Sequence, residues 1–220
     1  ADYRGLFASL SSTAVVKHLL LDTFKVAGGS NVGGLAGHSA GTIQKVGLKG
    51  TSLIETTSSG NSTGGLVGLL MNPGIIEQCY SGSSVTVRST AGTSYVGGLV
   101  GKSWGTGTGA GQFSTIKNNY SRATITTSAD NVAGVVGYAG YTKLLSNYFA
   151  GVANDTDGAA TERGIVGTDW GSNTITDNFY DTEVCVAASS QCSTGVIAEA
   201  RGIDTTAMKS VASFLRTGGW

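Results

Sequence analysis

The chain has 220 residues with 14 basic and 14 acidic side chains, and charged residues make up only 13% of it. This neutral, weakly charged composition shows no electrostatic footprint for nucleic acid or for an acidic membrane surface. Glycine occurs 35 times and proline once, and no collagen-like period is present. The composition therefore favours tightly stacked strands with many turns over collagen or a disordered linker.

A five-residue box recurs along the chain. Complete copies read Gly-Gly-Leu-Ala-Gly or Gly-Gly-Leu-Val-Gly, and weaker copies keep part of the pattern. The central aliphatic residues of the six boxes are 29 to 36 residues apart; they are Leu6, Leu35, Leu66, Leu99, Val135 and Ile165. A repeat of this size cannot bury its own apolar face, so successive repeats are expected to stack on each other.

Both faces of the box mix glycine with aliphatic side chains. In the copy from Tyr95 to Gly101, alternation places Val96, Gly98 and Val100 on one face and Leu99 on the other. This pattern predicts a strand covered on both faces, with close backbone approach at the glycines. We therefore expect Gly98→Val to overpack its coil.

A second element follows each box. It starts with an aliphatic residue and, in later copies, ends with asparagine and an aromatic residue, as in Ile116 to Tyr120. A β-branched run of period two comes next, clearest in Ser84 to Val87 and Thr124 to Thr127. Each repeat therefore carries at least two short strands, and no helical spacing occurs before the last residues.

These patterns predict an all-β fold, a parallel β-solenoid of about six coils over residues 1–184. Residues 185–220 depart from the repeat and are expected to form a disulfide loop and a C-terminal cap with a short helix. Asp204 or Thr205 is the expected helix start, and the helix is expected to run from Thr206 to about Phe214. Such a cap would cover the last sheet edge.

Cys185 and Cys192 enclose a short polar loop, which predicts a local disulfide and an oxidising, extracytoplasmic setting. Half of a metal site is the alternative, but neither His18 nor His38 lies near the pair in sequence. No stretch approaches the ~18 consecutive apolar residues of a membrane helix. Because the chain does not begin with Met, we expect a mature exported polypeptide or a fragment of something longer.

The boxes at Gly33 to Gly37, Gly64 to Gly68 and Gly97 to Gly101 resemble GLUG-motif repeats when they are taken with the elements that follow them. Such repeats occur in bacterial surface adhesins of the filamentous-haemagglutinin type and in non-catalytic regions of immunoglobulin A-cleaving metallopeptidases. Residues Phe179 to Glu183 and Thr205 to Lys209 resemble the segment that ends such an array. The resemblance implies an extracellular β-solenoid with an adhesive or spacer role, and it carries over no catalytic residue.

Three sets of residues are candidates for a site. An aromatic series would form a ladder about one strand spacing (~4.8 Å) apart; it comprises Tyr80, Tyr120, Tyr148 and Phe179. Facing outward, this ladder would suit sugar rings; because stacked aromatic side chains need no ligand, we favour a structural role. Asn119, Asn147 and Asn178 predict a second ladder of amides.

Asp155 and Asp157 form a weak calcium candidate. An EF-hand register would need acids where Ala153 and Gly164 stand, so we favour a solvated loop and expect neither metal nor cofactor.

The function expected from the sequence is a non-enzymatic extracellular module, a stalk or adhesin domain of a bacterial surface protein. Its expected partner is a host or matrix glycan or protein, not nucleic acid. The first alternative is a filament subunit that self-associates end to end through bare sheet edges. The second is a carbohydrate-active β-helix enzyme, which the sparse and scattered acids disfavour.

Overall fold

The computed structural model describes residues 2–58, 62–90, 94–129, 131–156, 163–185 and 200–208. Within these ranges almost all regular structure is strand, and the strand pairs are parallel and in register from coil to coil. The predicted all-β parallel solenoid is thus confirmed.

Each coil contributes strands in the same order. The first two coils contain β1 (Tyr3–Arg4), β2 (Phe7–Leu10), β3 (Val15–Asp22), β4 (Lys25–Gly28), β5 (Asn31–Gly33), β6 (Ala36–Ser39), β7 (Thr42–Lys49) and β8 (Ser52–Thr56). The next two contain β9 (Ser62–Gly64), β10 (Val67–Met71), β11 (Ile75–Glu77), β12 (Tyr80–Ser81), β13 (Val85–Ser89), β14 (Tyr95–Gly97), β15 (Val100–Trp104), β16 (Ser114–Lys117), β17 (Tyr120–Ser121) and β18 (Thr124–Thr127). The remainder are β19 (Asn131–Ala133), β20 (Val136–Gly140), β21 (Thr142–Leu145), β22 (Tyr148–Phe149), β23 (Val152–Asp155), β24 (Val166–Trp170), β25 (Thr174–Thr176), β26 (Asn178–Asp181) and β27 (Ala200–Ile203).

The described strands form four sheets that run along the stack. Sheet A is β1-β5-β9-β14-β19 and sheet B is β2-β6-β10-β15-β20-β24. Sheet C holds the strands of the second element in two rows, from β3 and β7 to β25 and β26, with β27 added at its end. Sheet D is β4-β8-β13-β18-β23.

The described residues make about five turns, slightly fewer than the predicted six. The sixth box supplies β24 to sheet B, and the chain continues into sheet C as β25 and β26. After Asp181 it turns, so sheet D receives no sixth strand from the described residues.

The box is a corner between two sheets, and the prediction of one strand covered on both faces is wrong. In the fourth coil β14 ends at Gly97 and β15 begins at Val100, so Gly98 and Leu99 form the bend. The alternation of the sequence does not reveal this bend. In a straight strand Val96 and Leu99 would lie on opposite faces, whereas at the corner both side chains point inward and are fully buried.

Glycine is required at the corner by the neighbouring coil. A Cβ added at Gly98 would lie 2.2 Å from the carbonyl oxygen of Gly134, which is closer than real Cβ atoms come to other atoms. The same box position also leaves room for inward rings from sheet C. A Cβ at Gly134 would lie 2.0 Å from the ring of Phe149, and one at Gly164 would lie 2.1 Å from the ring of Tyr180.

A second corner occurs in the element that follows the box. Its third residue adopts a left-handed backbone in every coil, with φ between 53° and 56°, at His18, Lys45, Gln78, Asn118, Ser146 and Asp177. Asn, Asp and His tolerate this conformation better than most residues. The corner separates the two rows of sheet C.

The residue after this corner points inward and forms the predicted asparagine ladder of Asn119, Asn147 and Asn178. All three are fully buried. The Nδ2 of Asn119 donates to Oδ1 of Asn147 at 2.9 Å, and the Nδ2 of Asn147 donates to Oδ1 of Asn178 at 2.9 Å. Each Nδ2 also donates to a backbone carbonyl oxygen, such as that of Ile116, 2.8 Å from Asn147. The ladder therefore satisfies the polar groups that the corner buries.

Cys79 occupies the ladder position of the third coil. Its Sγ accepts from the backbone N–H of Val46 at 3.4 Å and donates to the carbonyl oxygen of Ile43 at 3.6 Å. Burial raises the pKa of the Cys79 thiol to about 11. This free cysteine thus replaces asparagine as a weak donor and acceptor.

The end of the stack is partly covered by the cap. Strand β27 pairs in parallel with β26, and α1 (Thr205–Met208) follows. The Oδ1 of Asp204 accepts from the N–H of Ala207 at 2.7 Å, so Asp204 caps this helix. The predicted helix end near Phe214 lies outside the described residues.

Cys185 is buried. Its predicted partner, Cys192, lies outside the described residues, so their disulfide stays a prediction, as does the domain boundary after residue 184. No helix in the described part of the chain combines the length and apolarity needed to span a membrane.

Candidate ligand-binding surface

The predicted aromatic series lies in one column of sheet C. Tyr80 is paired with Tyr120, Tyr120 with Tyr148, and Tyr148 with Phe179. The rings of Tyr80 and Tyr120 are stacked, with centroids 5.1 Å apart and planes 6° from parallel. We call these four residues the tyrosine ladder.

The tyrosine ladder faces outward. Tyr120 is 37% exposed, whereas its neighbours Asn119 and Ser121 are fully buried. At one end the Tyr80 ring lies over Gly47, where an added Cβ would come within 2.3 Å of it. At the other end Phe179 is almost buried and pairs with Arg201 of β27. Whether the ladder is structural or binds a ligand stays a prediction.

A second aromatic surface, which the sequence patterns did not predict, lies on sheet B. Trp104 and Trp170 belong to strands two coils apart, with Gly140 between them in register. Since Gly140 has no side chain, the two indoles stack across it, with centroids 4.9 Å apart and planes 21° from parallel. Tyr141 packs edge-on against Trp170 at 5.6 Å and against Trp104 at 6.4 Å.

Lys102 lies in the middle of this surface. Its Nζ is 4.9 Å from the ring centroid of Trp104, 5.0 Å from that of Tyr138 and 5.2 Å from that of Tyr95. Cation–π attraction holds an ammonium in such a place, and burial lowers its pKa. We call Tyr95, Lys102, Trp104, Tyr138, Tyr141 and Trp170 the aromatic cluster.

A groove of about 220 Å³ runs beside the cluster, between the outward faces of sheets A and B. It is lined by polar, aliphatic, thioether, aromatic and ammonium groups from three coils, namely Asn31, Ser62, Leu69, Met71, Tyr95, Lys102 and Trp104. None of the described residues that line it carries a carboxylate. The groove thus combines flat apolar faces with a few polar groups, as ligand sites do.

Several acidic side chains are committed to ion pairs elsewhere. The ammonium of Lys117 lies 3.0 Å from Glu77, and Gln44 donates to the same carboxylate at 2.9 Å. These contacts lower the pKa of Glu77, the hydrogen bond from Gln44 being the largest cause. Glu55 is paired with Arg88. Such carboxylates balance local charge and are poorly placed for acid–base catalysis.

The structure describes only part of the predicted calcium candidate. Asp155 is the last residue of β23, and Asp157 lies outside the described residues. Within the described ranges, no group of three or more His, Cys, Asp or Glu side chains could hold a metal ion. The calcium candidate therefore stays a prediction.

One sequence signal could have found the aromatic cluster. Lys102 and Tyr138 each directly follow the last glycine of a box, while Trp104, Gly140 and Trp170 stand three residues after it. Aligning the repeats on that glycine places each set in one column of sheet B.

Fold and surface together define a parallel β-solenoid with aromatic residues arranged in columns on its outside. Comparison with known proteins finds a partial similarity to Halomucin of Haloquadratum walsbyi, 38% identical over 68 residues. The match covers 31% of this chain and 1% of Halomucin. No family model and no solved structure gives a significant match. Membership of the GLUG group stays a prediction.

Proposed function

We propose that this chain is a non-enzymatic extracellular module, a stalk or adhesin domain of a bacterial cell-surface protein. The observation that carries the proposal is the continuous in-register stack, in which buried ladders and a single apolar core extend over about five turns. Such a stack presents the same surface position again in every coil, which suits a rigid spacer with a repeated binding face. The partial similarity to Halomucin and the GLUG resemblance support the surface location.

The location is tested by labelling intact cells of the source organism with an antibody against the module. We expect labelling without permeabilisation, and we expect external protease to remove it. A signal that appears only after permeabilisation would contradict the proposal.

The absence of enzymatic activity is tested separately. The purified chain is incubated with neutral and acidic polysaccharides, and new reducing ends or unsaturated products are measured. Sustained turnover of any polysaccharide would overturn the non-enzymatic assignment.

A second candidate function, a self-assembling filament subunit, is favoured by the first coil. Leu6 is 56% exposed and Phe7 is 38% exposed, whereas their counterparts Leu35 and Ala36 in the next coil are fully buried. The first coil thus has the apolar side chains of an interior coil, and β1 has no strand on its outer side among the described residues. A second copy stacked on this end would bury these side chains and pair the open edges.

Static light scattering over a range of concentrations tests this candidate, with Leu6→Asp as the disrupting variant. Leu20→Asp is the matched control, because Leu20 is similarly exposed but lies in the outward column of Gly47. Self-association is expected for the wild type and for Leu20→Asp, and its loss is expected for Leu6→Asp. A wild-type chain that stays monomeric at millimolar concentration would eliminate the filament.

A further inference from the structure

The groove between sheets A and B has features of a built site. Successive coils supply an amide at Asn31, a hydroxyl at Ser62 and a phenol at Tyr95 from sheet A. Sheet B supplies the opposite wall, where Lys102 and Trp104 stand in consecutive outward positions of one strand. Because these positions repeat from coil to coil, the groove follows the axis of the stack and suits an extended chain better than a compact molecule.

The rings beside the groove are held in position by contacts with each other. Tyr95 and Tyr138 contact each other across the junction of the two sheets, with centroids 4.8 Å apart. Trp170 is 47% exposed, although its inner face stacks on Trp104. Its outer face therefore remains available to a partner, and little conformational entropy is lost when a flat, partly apolar ring binds there.

The charge in the groove comes from Lys102. Among the described residues, no carboxylate lies within 4.0 Å of the Lys102 ammonium, whereas Lys49 and Lys117 both have acidic partners. The three rings around Lys102 hold its Nζ in place but do not neutralise it. An anionic group entering the groove would meet a fixed cation on a partly desolvated surface, where attraction is stronger than in water.

We propose that this groove, together with the rings of the aromatic cluster next to it, binds a linear carboxylated saccharide, with a carboxylate on Lys102 at the edge of the groove and pyranose faces against Tyr138 and Trp170 of the following coils. The inference rests on the proposed adhesive role and names the class of its ligand. Single-stranded nucleic acid also stacks on aromatic rings, but it needs an electropositive channel along the backbone. Among the described residues that line this groove, Lys102 is the one with a cationic side chain, and the whole chain is neutral. One fixed cation among neutral hydrogen-bonding groups fits a sparsely charged sugar chain better.

Binding is measured by isothermal titration calorimetry and by the intrinsic fluorescence of the full chain. The probes are oligogalacturonate, oligomannuronate and hyaluronan oligosaccharides. Methyl-esterified oligogalacturonate keeps the sugar ring but removes the charge, and a single-stranded oligothymidylate serves as a competing polyanion. We expect at least one carboxylated saccharide to bind, with an affinity that falls as ionic strength rises.

Variants locate the site. Lys102→Gln and Trp170→Ala are each expected to weaken binding about tenfold or more. Lys143→Gln is the matched control, because its Nζ lies 5.0 Å from the ring of Phe113 but on sheet C. It is expected to bind like the wild type, and circular dichroism of each variant establishes that the fold is retained.

Four results would overturn the proposal. They are no binding of any carboxylated saccharide, equal binding of the methyl ester, equal or tighter binding of oligothymidylate, and equal loss in Lys143→Gln and Lys102→Gln. None of these results affects the surface labelling of intact cells, so this proposal can fail while the proposed function stands.

Discussion

The asparagine ladder allows a quantitative test of what holds the coils together. Asn147 sits at its centre and makes four hydrogen bonds through its side chain. Its Nδ2 donates to the Ile116 carbonyl at 2.8 Å and to Asn178 Oδ1 at 2.9 Å. Its Oδ1 accepts from the backbone N–H of Asn119 at 3.2 Å and from its Nδ2 at 2.9 Å. Asn147→Ala removes all four and leaves their partners buried.

The expected loss follows from these bonds. A net contribution of about 1 kcal/mol for each bond gives about 4 kcal/mol. Two partners keep a second bond, because Asn119 Nδ2 also donates to Ile76 and Asn178 Oδ1 also accepts from the backbone N–H of residue 147. The free energy of unfolding of a protein is typically about 5–15 kcal/mol, so Asn147→Ala is expected to lose a large share of its stability. Asn147→Leu restores the side-chain volume but not the bonds. We therefore expect it to be nearly as unstable as Asn147→Ala.

Urea denaturation followed by circular dichroism measures the loss, and hydrogen exchange shows which coils open, because stacked repeats need not unfold together. Asn31→Ala is the matched control, since Asn31 is only partly buried and its described side-chain bond is a long one, 3.3 Å to Ser30. The free energy of unfolding of Asn31→Ala is expected to stay within about 0.5 kcal/mol of the wild-type value. A loss below about 1 kcal/mol in Asn147→Ala, or wild-type stability in Asn147→Leu, would refute the reasoning.

Two further predictions concern the corner glycines and the buried thiol. Gly98→Val should lower the free energy of unfolding by about 3 kcal/mol, because its side chain would overpack against the backbone carbonyl of Gly134. Gly29→Val is the control and should lose less stability, because no described backbone atom lies that close to Gly29. Equal thermal unfolding of the two variants would contradict this prediction. Cys79 has its pKa raised from 9.0 to about 11, so the folded chain keeps a proton that the unfolded chain loses. Stability is therefore fully present below pH 9 and should fall by about 1.4 kcal/mol per pH unit between pH 9 and 11. Cys79→Ser should lack this part of the alkaline loss, and identical pH profiles would contradict the assignment.

The candidate site was only partly predictable. The tyrosine ladder could be anticipated because its members stand at the same place in a short element, directly after the residue that becomes the buried ladder. The sheet B members of the aromatic cluster could have been aligned on the last glycine of each box, but Tyr95 comes from sheet A and could not. The contact of Tyr95 with Tyr138 joins sheet A of one coil to sheet B of the next, and no local pattern records that pairing.

The glycine box shows the same limit for the fold. Its spacing indicates coils that stack, since no repeat of this length has apolar side chains enough to cover itself. Its alternation, however, gave the wrong local shape. A bend at Gly98 keeps Val96 and Leu99 in the core on either side of a corner. The sequence pattern of such a corner is the same as that of a straight strand buried on both faces, so the pattern alone does not distinguish the two.

For this protein the sequence by itself determined the parallel stack, the asparagine ladder and the order of elements in each coil, because those features repeat and depend on neighbours of the same kind. Only the tertiary structure decided where the chain turns, which faces point outward and which side chains of different sheets meet. The indoles of Trp104 and Trp170 touch because Gly140, in the coil between them, leaves the gap that both rings fill.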